Sequence, residues 1–426
     1  MKASSPRGLP PAILLEGHMD VLRDLRGRGV PLVAASSYRR HPAKASTSIT
    51  GSELSPALWD AAYERWFESA IARYEGAVVF PLTEDDSWWL DGFRATHPET
   101  TVRTPVPPRE ALRTVTLKWE LYQACQAHGI AAPATWLARS PADVRQRAGD
   151  LKFPVIVKPQ SRCGNLHWGR GEVANNAEEL EESVSWALSN VRFRDEVADP
   201  CPDVRLPLVQ EAIGGRDRRI YHIAGYLSQS GTWAALAHRK LLQFPRRFGN
   251  GLCFETASLD VALAERLVEM LRAIGFRGMF EAEFIERGDE RLLIDLNPRA
   301  YNGMTLEVER GLHVAWYAYL EAAGELDLLD RELGKAHQLE DRQFTWCRKL
   351  EFGAMLASQL ASGGFTPREA SRWLGWYRQN RGRMLDPFVI EGDRRVGRAR
   401  LRFQLSDWTR HPRRFVGTYA RRESGR

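Results

Sequence analysis

Lysine is scarce in this chain: 8 of the 60 basic residues are Lys and the remainder are Arg. An ammonium is a compact point charge on a flexible stem, suited to following one phosphate oxygen, so a Lys in a motif-like setting carries weight here. Cysteine is scarce as well. The five (Cys125, Cys163, Cys201, Cys253, Cys347) are scattered, odd in number and without metal-ligand spacing. That argues against a disulfide framework and fits reduced thiols in a cytoplasm. No window approaches a membrane span, and Met1-Lys-Ala-Ser-Ser-Pro lacks the apolar core of a signal peptide, so no membrane partner is expected. Two glycine fingerprints are also missing. Gly17 follows a strand without the further glycines of a dinucleotide motif, and Gly164 to Gly171 has P-loop-like spacing without the Lys-Ser/Thr pair.

What is present is a soluble, globular composition, 43% apolar and 27% charged over 426 residues. That length suggests about two to four domains. The net charge of +6 is unevenly placed, because residues 394–426 hold eleven Arg against Asp407 and Glu423. Phe403, Trp408, Phe415 and Tyr419 interleave with these Arg residues, which favours a packed, Arg-decorated helix end over a nucleic-acid or membrane surface.

Along the chain, residues 12–16, 31–35 and 76–81 are predicted strands. Helices are expected through Leu22 and Leu25 and from Trp59 to Tyr74, the alternation of a parallel sheet with helical crossovers. Thr104-Pro-Val-Pro-Pro108 reads as a linker or extended crossover, and helical periodicity runs from Arg109 to His128. Strands follow at 134–137, 153–158 and 206–213, with a helix at 177–190 between the last two. A strand pair (221–227 and 232–238, turning at Ser230-Gly231) and a helix from Leu259 to Ile274 come next. Beyond residue 330 the chain is expected to be helical.

Two segments carry the chemistry. Phe280-Glu-Ala-Glu-Phe-Ile-Glu286 and Leu292-Leu-Ile-Asp-Leu-Asn-Pro-Arg299 alternate apolar and polar residues as half-buried strands do. Phe280, Ala282 and Phe284 take one face, and Glu281 and Glu283 the other. Leu292, Ile294 and Leu296 are expected to point inward, with Asp295, Asn297 and Arg299 opposite them. A connection with an odd number of residues sets Glu283 directly across from Asp295. Acids placed so close without an intervening cation are destabilising on a merely solvated face. As hard oxygen ligands they suit Mg2+ shared with phosphate. Pro298 stops the ladder and turns Arg299 back toward the acids.

Upstream, Lys158 ends an apolar strand before a glycine-punctuated loop containing Gly164, a phosphate-binding arrangement in which backbone N–H groups close on oxygens. The ordered set (Lys118 on a helix, Lys158 with its loop, Val209-Gln-Glu-Ala-Ile213-Gly-Gly, Glu283, then Asp295-x-Asn297-Pro-Arg299) resembles the ATP-grasp superfamily, and within it the carboxylate–amine ligases. The resemblance covers roughly residues 110–325, and residues 12–105 look like the α/β domain that precedes the grasp fold in that family.

The resemblance implies an α/β (α+β grasp) architecture. An N-terminal parallel α/β domain (1–108) would be followed by an ATP-grasp domain of two α+β subdomains (109–330) and a helical Arg- and Trp-rich C-terminal region (331–426). It implies that Lys118 and Lys158 contact nucleotide phosphates and that Gln210 faces the adenine amino group. The backbone of Glu211 and Ile213 would hold the base, and Asp217 the ribose. Glu283, Asp295 and Asn297 would bind Mg2+, or Mn2+ in its place, with Arg299 beside the reacting phosphoryl group. Two departures from the family pattern stand out: Asp295 where Glu is more usual, and the bulky Cys163, His167 and Trp168 in the glycine loop.

The implied activity is amide or peptide bond formation from small-molecule carboxylate and amine substrates through an acyl phosphate. A kinase or carboxylase on the same nucleotide site is the nearest rival. A non-catalytic nucleotide- or nucleic-acid-binding protein is a more distant one. Cys163 reads as an inert thiol, and His222 and His238 as structural histidines. Lys240, Arg246 and Arg247 form either a solvated basic run or a clamp on substrate.

Overall fold

The computed structural model describes residues 8–166, 169, 171–214, 219–245, 249–336, 339 and 342–415. Asp217, His167, Trp168, Arg246, Arg247 and Tyr419 lie outside the described residues.

The first sheet is parallel throughout, with strands β1 (Ala12–Leu15), β2 (Leu32–Ser36), β3 (Ile49–Leu54) and β4 (Val78–Phe80) in the order β3-β2-β1-β4. β1, β2 and β4 are continuous apolar runs because helices cover both faces, and all of their residues are buried. β3 alternates half-buried and exposed residues at the sheet edge, which is why its polar sequence did not read as a strand. Gly17 makes the tight strand-to-helix turn after β1. Its φ is +58°, and a Cβ there would lie 2.5 Å from His41 Nδ1.

The second sheet, β5 (Thr135–Leu137), β6 (Val155–Lys158), β7 (Glu172–Ala174) and β8 (Leu208–Glu211), is antiparallel in the order β5-β8-β6-β7. The helix Ala177–Asn190 covers it through Leu180 and Val184. The third sheet has seven described strands: β9 (Ile220–Leu227), β10 (Trp233–Phe244), β11 (Asn250–Ala257), β12 (Gly278–Arg287), β13 (Glu290–Asn297), β14 (Thr345–Cys347) and β15 (Met384–Leu385). Their order is β13-β12-β9-β10-β11-β14-β15. The helix Val261–Ala273 backs this sheet, packing Leu267 and Leu271 against Phe280, Ala282 and Phe284.

Two expectations need correction. The helix expected from Arg109 to His128 is two helices, Arg109–Thr116 and Lys118–Ala127, broken where Leu117 turns extended (φ −92°, ψ 108°). Lys118 donates its backbone N–H to Gln160 O at 3.0 Å instead of continuing the first helix, which puts it in the first turn of the second. The C-terminal region is mainly helical but also contributes β14 and β15 to the large sheet. Its basic helix Arg394–Arg410 packs against the short turn Pro42–Ala45 beside the first sheet. Val396 is fully buried there, and Phe403 meets Tyr38 edge-on at 5.4 Å. Among the described residues no helix is long and apolar enough to cross a membrane.

Candidate active site

A cleft lies between the second and third sheets, closed at one end by the first turn of the helix Glu84–Thr96. Its apolar lining includes Ile156, Ile213, Ile220, Ile285 and Ile294, of which Ile213, Ile285 and Ile294 pack as one cluster. Its polar lining includes Lys118, Lys158, Lys240, Glu281, Glu283, Asp295, Asn297 and Arg299.

The hairpin β12–β13 supplies much of the polar lining. Glu283 pairs with Asp295 and Glu281 with Asn297 in antiparallel register. The register arises differently from the sequence reading. The turn is the two residues Gly288-Asp289, and a one-residue irregularity between Glu283 and Phe284 shifts the pairing from Leu293 to Asp295. Ile294 is the extra residue, a β-bulge that restores Glu283 opposite Asp295. The bulge also splits the apolar residues of β13. Leu293 and Leu296 enter the core with Phe280 and Phe284, whereas Leu292 and Ile294 join Ile213 and Ile285 in a separate apolar cluster. The expected single inward face of Leu292, Ile294 and Leu296 is corrected accordingly.

Each carboxylate across this pair has its own lysine. Lys118 Nζ lies 2.7 Å from Asp295 Oδ1, and Lys240 Nζ 2.9 Å from Glu283 Oε2. Burial pushes the Asp295 carboxyl up, but the adjacent Lys118 ammonium, supported by Lys158 and Arg299, holds it below the usual carboxylate range. Lys158 Nζ donates to Gln210 Oε1 at 2.7 Å, and Gln210 Nε2 donates to Thr135 Oγ1 at 2.9 Å. Both ends of the Gln210 amide are thus engaged by protein groups. The backbone N–H of Glu211 donates to Ala134 O at 2.8 Å, and its side chain pairs with Arg287 at 3.0 Å.

Sequence reasoning placed Glu281 on this face without giving it a task. It is buried at 3% exposure, accepts from Asn297 Nδ2 at 2.8 Å, and lies 3.1 Å from His222 Nδ1 and 3.3 Å from His238 Nε2. Burial opposes its charge, yet the two imidazoles outweigh that and hold its carboxyl well below the usual range. Burial also opposes charge on His238, but Glu307, 2.9 Å from Nδ1, together with Glu281 pushes its pKa up to about 9. Burial keeps His222 low. The two histidines flank Glu281, and His222 Nδ1, His222 Nε2 and His238 Nε2 are buried with no hydrogen-bond partner among the described residues. The legible signal was a His in each of the two strands that follow β12 in the sheet order.

Arg299 lies within electrostatic reach of Glu281 and Asp295, but its direct ion pair is with a third acid. Its Nη2 pairs with Glu84 Oε1 at 2.5 Å and lies 3.4 Å from Asn297 Oδ1, while Nη1 donates to Ala300 O at 2.8 Å. Gly164 also departs from expectation. It is not among the described residues lining the cleft, and its N–H donates to Asp85 Oδ1 at 2.8 Å. Its φ is +65° and a Cβ there would lie 2.8 Å from Val197 Cγ2, so this glycine serves loop packing, and Gly169 is the described loop glycine that reaches the cleft. Cys163 is fully buried, and burial, with Asp85 beside it, pushes its thiol well up, as suits an inert cysteine.

The residues present fit a divalent ion. Glu283, Asp295 and Asn297 offer hard oxygens on one wall, partly buried and neutralised by lysines that phosphate oxygens would equally attract.

No family model matches the chain. The large chain of carbamoyl phosphate synthase from Rubrobacter xylanophilus is 26% identical over 181 residues, 40% of this chain and only 15% of that protein. Among solved structures, the biotin carboxylase domain dimer of the Hydrogenobacter thermophilus 2-oxoglutarate carboxylase, in complex with MgADP, ADP and bicarbonate, superposes with a TM-score of 0.60 at 16% identity. It covers 75% of this chain and 70% of that one. An L-amino acid ligase from Bacillus licheniformis superposes with a TM-score of 0.53 at 14% identity, covering 74% and 75%. At these identities the likeness is one of fold. The chain shares the fold of these two proteins, an α/β architecture with a parallel N-terminal sheet.

Proposed function

We propose that this protein is an ATP-dependent ligase that joins a carboxylate to an amine through an acyl phosphate. The observation that carries the proposal is the opposed pair Glu283 and Asp295, each held by its own lysine, on the cleft wall that also presents Asn297 and Arg299. The apolar slot of Ile156, Ile213, Ile285 and Ile294 suits a flat purine, with the backbone of Glu211 and Ile213 at its edge. The triphosphate then runs toward the lysines. Asp217 is proposed for the ribose on the sequence resemblance alone.

Glu283, Asp295 and Asn297 would hold Mg2+ or Mn2+, which supplies charge neutralisation at the phosphates. Lys118 and Lys158 bind phosphate oxygens, and Arg299 donates to the transferring group. A substrate carboxylate oxygen attacks the γ-phosphorus and the bond to ADP breaks. The amine nitrogen then attacks the acyl carbon, and the tetrahedral intermediate collapses with loss of phosphate and a proton. The chain's contribution is positioning and fixed positive charge in a cleft. Residues 1–108, 109–330 and 331–426 are the proposed domains. The five buried, unbridged thiols support a reducing, cytoplasmic setting.

The test is a pairwise screen of carboxylates and amines for ADP and phosphate release, using a carboxylate labelled with heavy oxygen. One labelled oxygen transferred to phosphate, with amide formed, is the expected result. Amide formed with no label in phosphate contradicts it. A carboxylase is the second reading, favoured by the fold likeness to a domain solved with bicarbonate. A strict bicarbonate requirement without any amine would support that reading instead.

A further inference from the structure

We infer that Glu84 is the positioning residue for Arg299, and that with Asp85 it makes the first turn of the helix Glu84–Thr96 the element aligning the phosphoryl-transfer end of the cleft. The inference rests on the ligase reading above.

The three consecutive acids Glu84, Asp85 and Asp86 do three different things. Asp86 locks the turn: its Oδ2 accepts from Leu82 N at 3.0 Å and Thr83 N at 2.8 Å, while Thr83 Oγ1 accepts from Asp86 N at 3.1 Å. This capping box fixes the backbone where β4 leaves the parallel sheet. Asp85 reaches across to the glycine loop and accepts the Gly164 N–H at 2.8 Å. Glu84 reaches to Arg299, 215 residues away in sequence, at 2.5 Å.

Both partners of that last pair are mostly buried, with side-chain exposures of 21% and 20%. Arg299 has little else to orient it. Nη1 donates to the neighbouring Ala300 carbonyl, Nη2 lies at the limit of reach of Asn297, and Nε has no hydrogen-bond partner among the described residues. Removing Glu84 would leave the guanidinium with the Ala300 carbonyl, the long contact to Asn297 and the more distant pull of Glu281 and Asp295. Glu84 pairs directly with Arg299, so its proposed effect passes through the arginine. An incidental ion pair on a cleft rim would contribute little to stability or to chemistry. The two readings therefore differ in what the pair controls.

The experiment uses the full chain with isosteric Glu84→Gln and shortened Glu84→Asp. Mg-ADP affinity is measured by calorimetry, and vanadate is then titrated into Mg-ADP-saturated protein as a probe of the transferring phosphoryl position. Mg-ADP affinity is expected to stay within about twofold of wild type. Vanadate binding should weaken by about tenfold or more in Glu84→Gln, the scale of one misdirected charge-assisted donor, with Glu84→Asp intermediate. Unchanged vanadate affinity, or an equal loss of Mg-ADP and vanadate binding, overturns the inference. If Glu84→Gln fails to fold, Glu84→Asp carries the same comparison. Should the wild-type protein bind no Mg-ADP, the ligase reading fails on its own. A crystal structure of the variant then decides the positioning role: a displaced Arg299 guanidinium supports it and an unmoved one overturns it.

Discussion

Lys118 and Asp295 form a 2.7 Å ion pair that ties the first turn of the helix Lys118–Ala127 to the end of β13. One member is proposed for phosphate and the other for metal, so each prearranges the other's partner. Nucleotide and metal should accordingly bind as one unit.

That coupling is measurable. Lys118→Met and Asp295→Asn are each expected to weaken Mg-ATP binding by about tenfold or more. The double variant should fall short of the summed loss by roughly 1–3 kcal/mol, since contacting residues do not act additively. Calorimetric titrations of the four proteins give the cycle, and strict additivity contradicts the coupling.

His238 should make stability depend on pH. Its pKa of about 9 lies above the unfolded value near 6.5. The stabilisation is therefore fully present below pH 6.5 and lost as pH rises through about 9. The shift corresponds to about 3 kcal/mol. Denaturant unfolding of wild type and His238→Gln at pH 6.5 and pH 10 should show the gap between them shrinking by up to that amount. A gap independent of pH contradicts the cationic His238.

Gly164 is argued to serve packing and not phosphate. Gly164→Ala places a methyl against Val197 at a positive φ, so it should destabilise the fold by about 1–3 kcal/mol. Mg-ADP affinity measured below the melting transition should change by less than about threefold. A large loss of affinity without loss of stability would return Gly164 to the phosphate site.

All five cysteines are buried, and burial raises the thiols of Cys125, Cys163, Cys201 and Cys253. An aromatic disulfide reagent at pH 8 is expected to label fewer than about one thiol per native chain, because reaction needs an accessible thiolate. In denaturant all five should react. Rapid native labelling would contradict the inert reading of Cys163.

Much of this was legible in the sequence because it is carried by local pattern. Strict alternation exposed the β12–β13 hairpin and the shared face of Glu281, Glu283, Asp295 and Asn297, and continuous apolar runs marked β1, β2 and β4. Features that depend on distant partners were hidden. Leu117 fits a helix as well as a break, and the break is fixed by the Gln160 carbonyl, which accepts the Lys118 N–H from a distant part of the chain. The bulge at Ile294 substitutes one apolar residue for another in the register. Glu84 sits in an acidic helix start that a capping rule already explains, and its partner Arg299 comes from the bend after β13, 215 residues away. The two short strands β14 and β15 offer too few residues for any period to show.

The account stands on Glu283, Asp295 and Asn297 acting together on a metal–nucleotide complex. Calorimetry of ATP binding with Mg2+ and with a chelator, in wild type and in Glu283→Ala/Asp295→Ala, tests it most directly. The account predicts binding that requires Mg2+ in the wild type and is lost in the double variant while the fold persists. Equal ATP affinity with and without Mg2+, or undiminished Mg-ATP binding in the double variant, would contradict it.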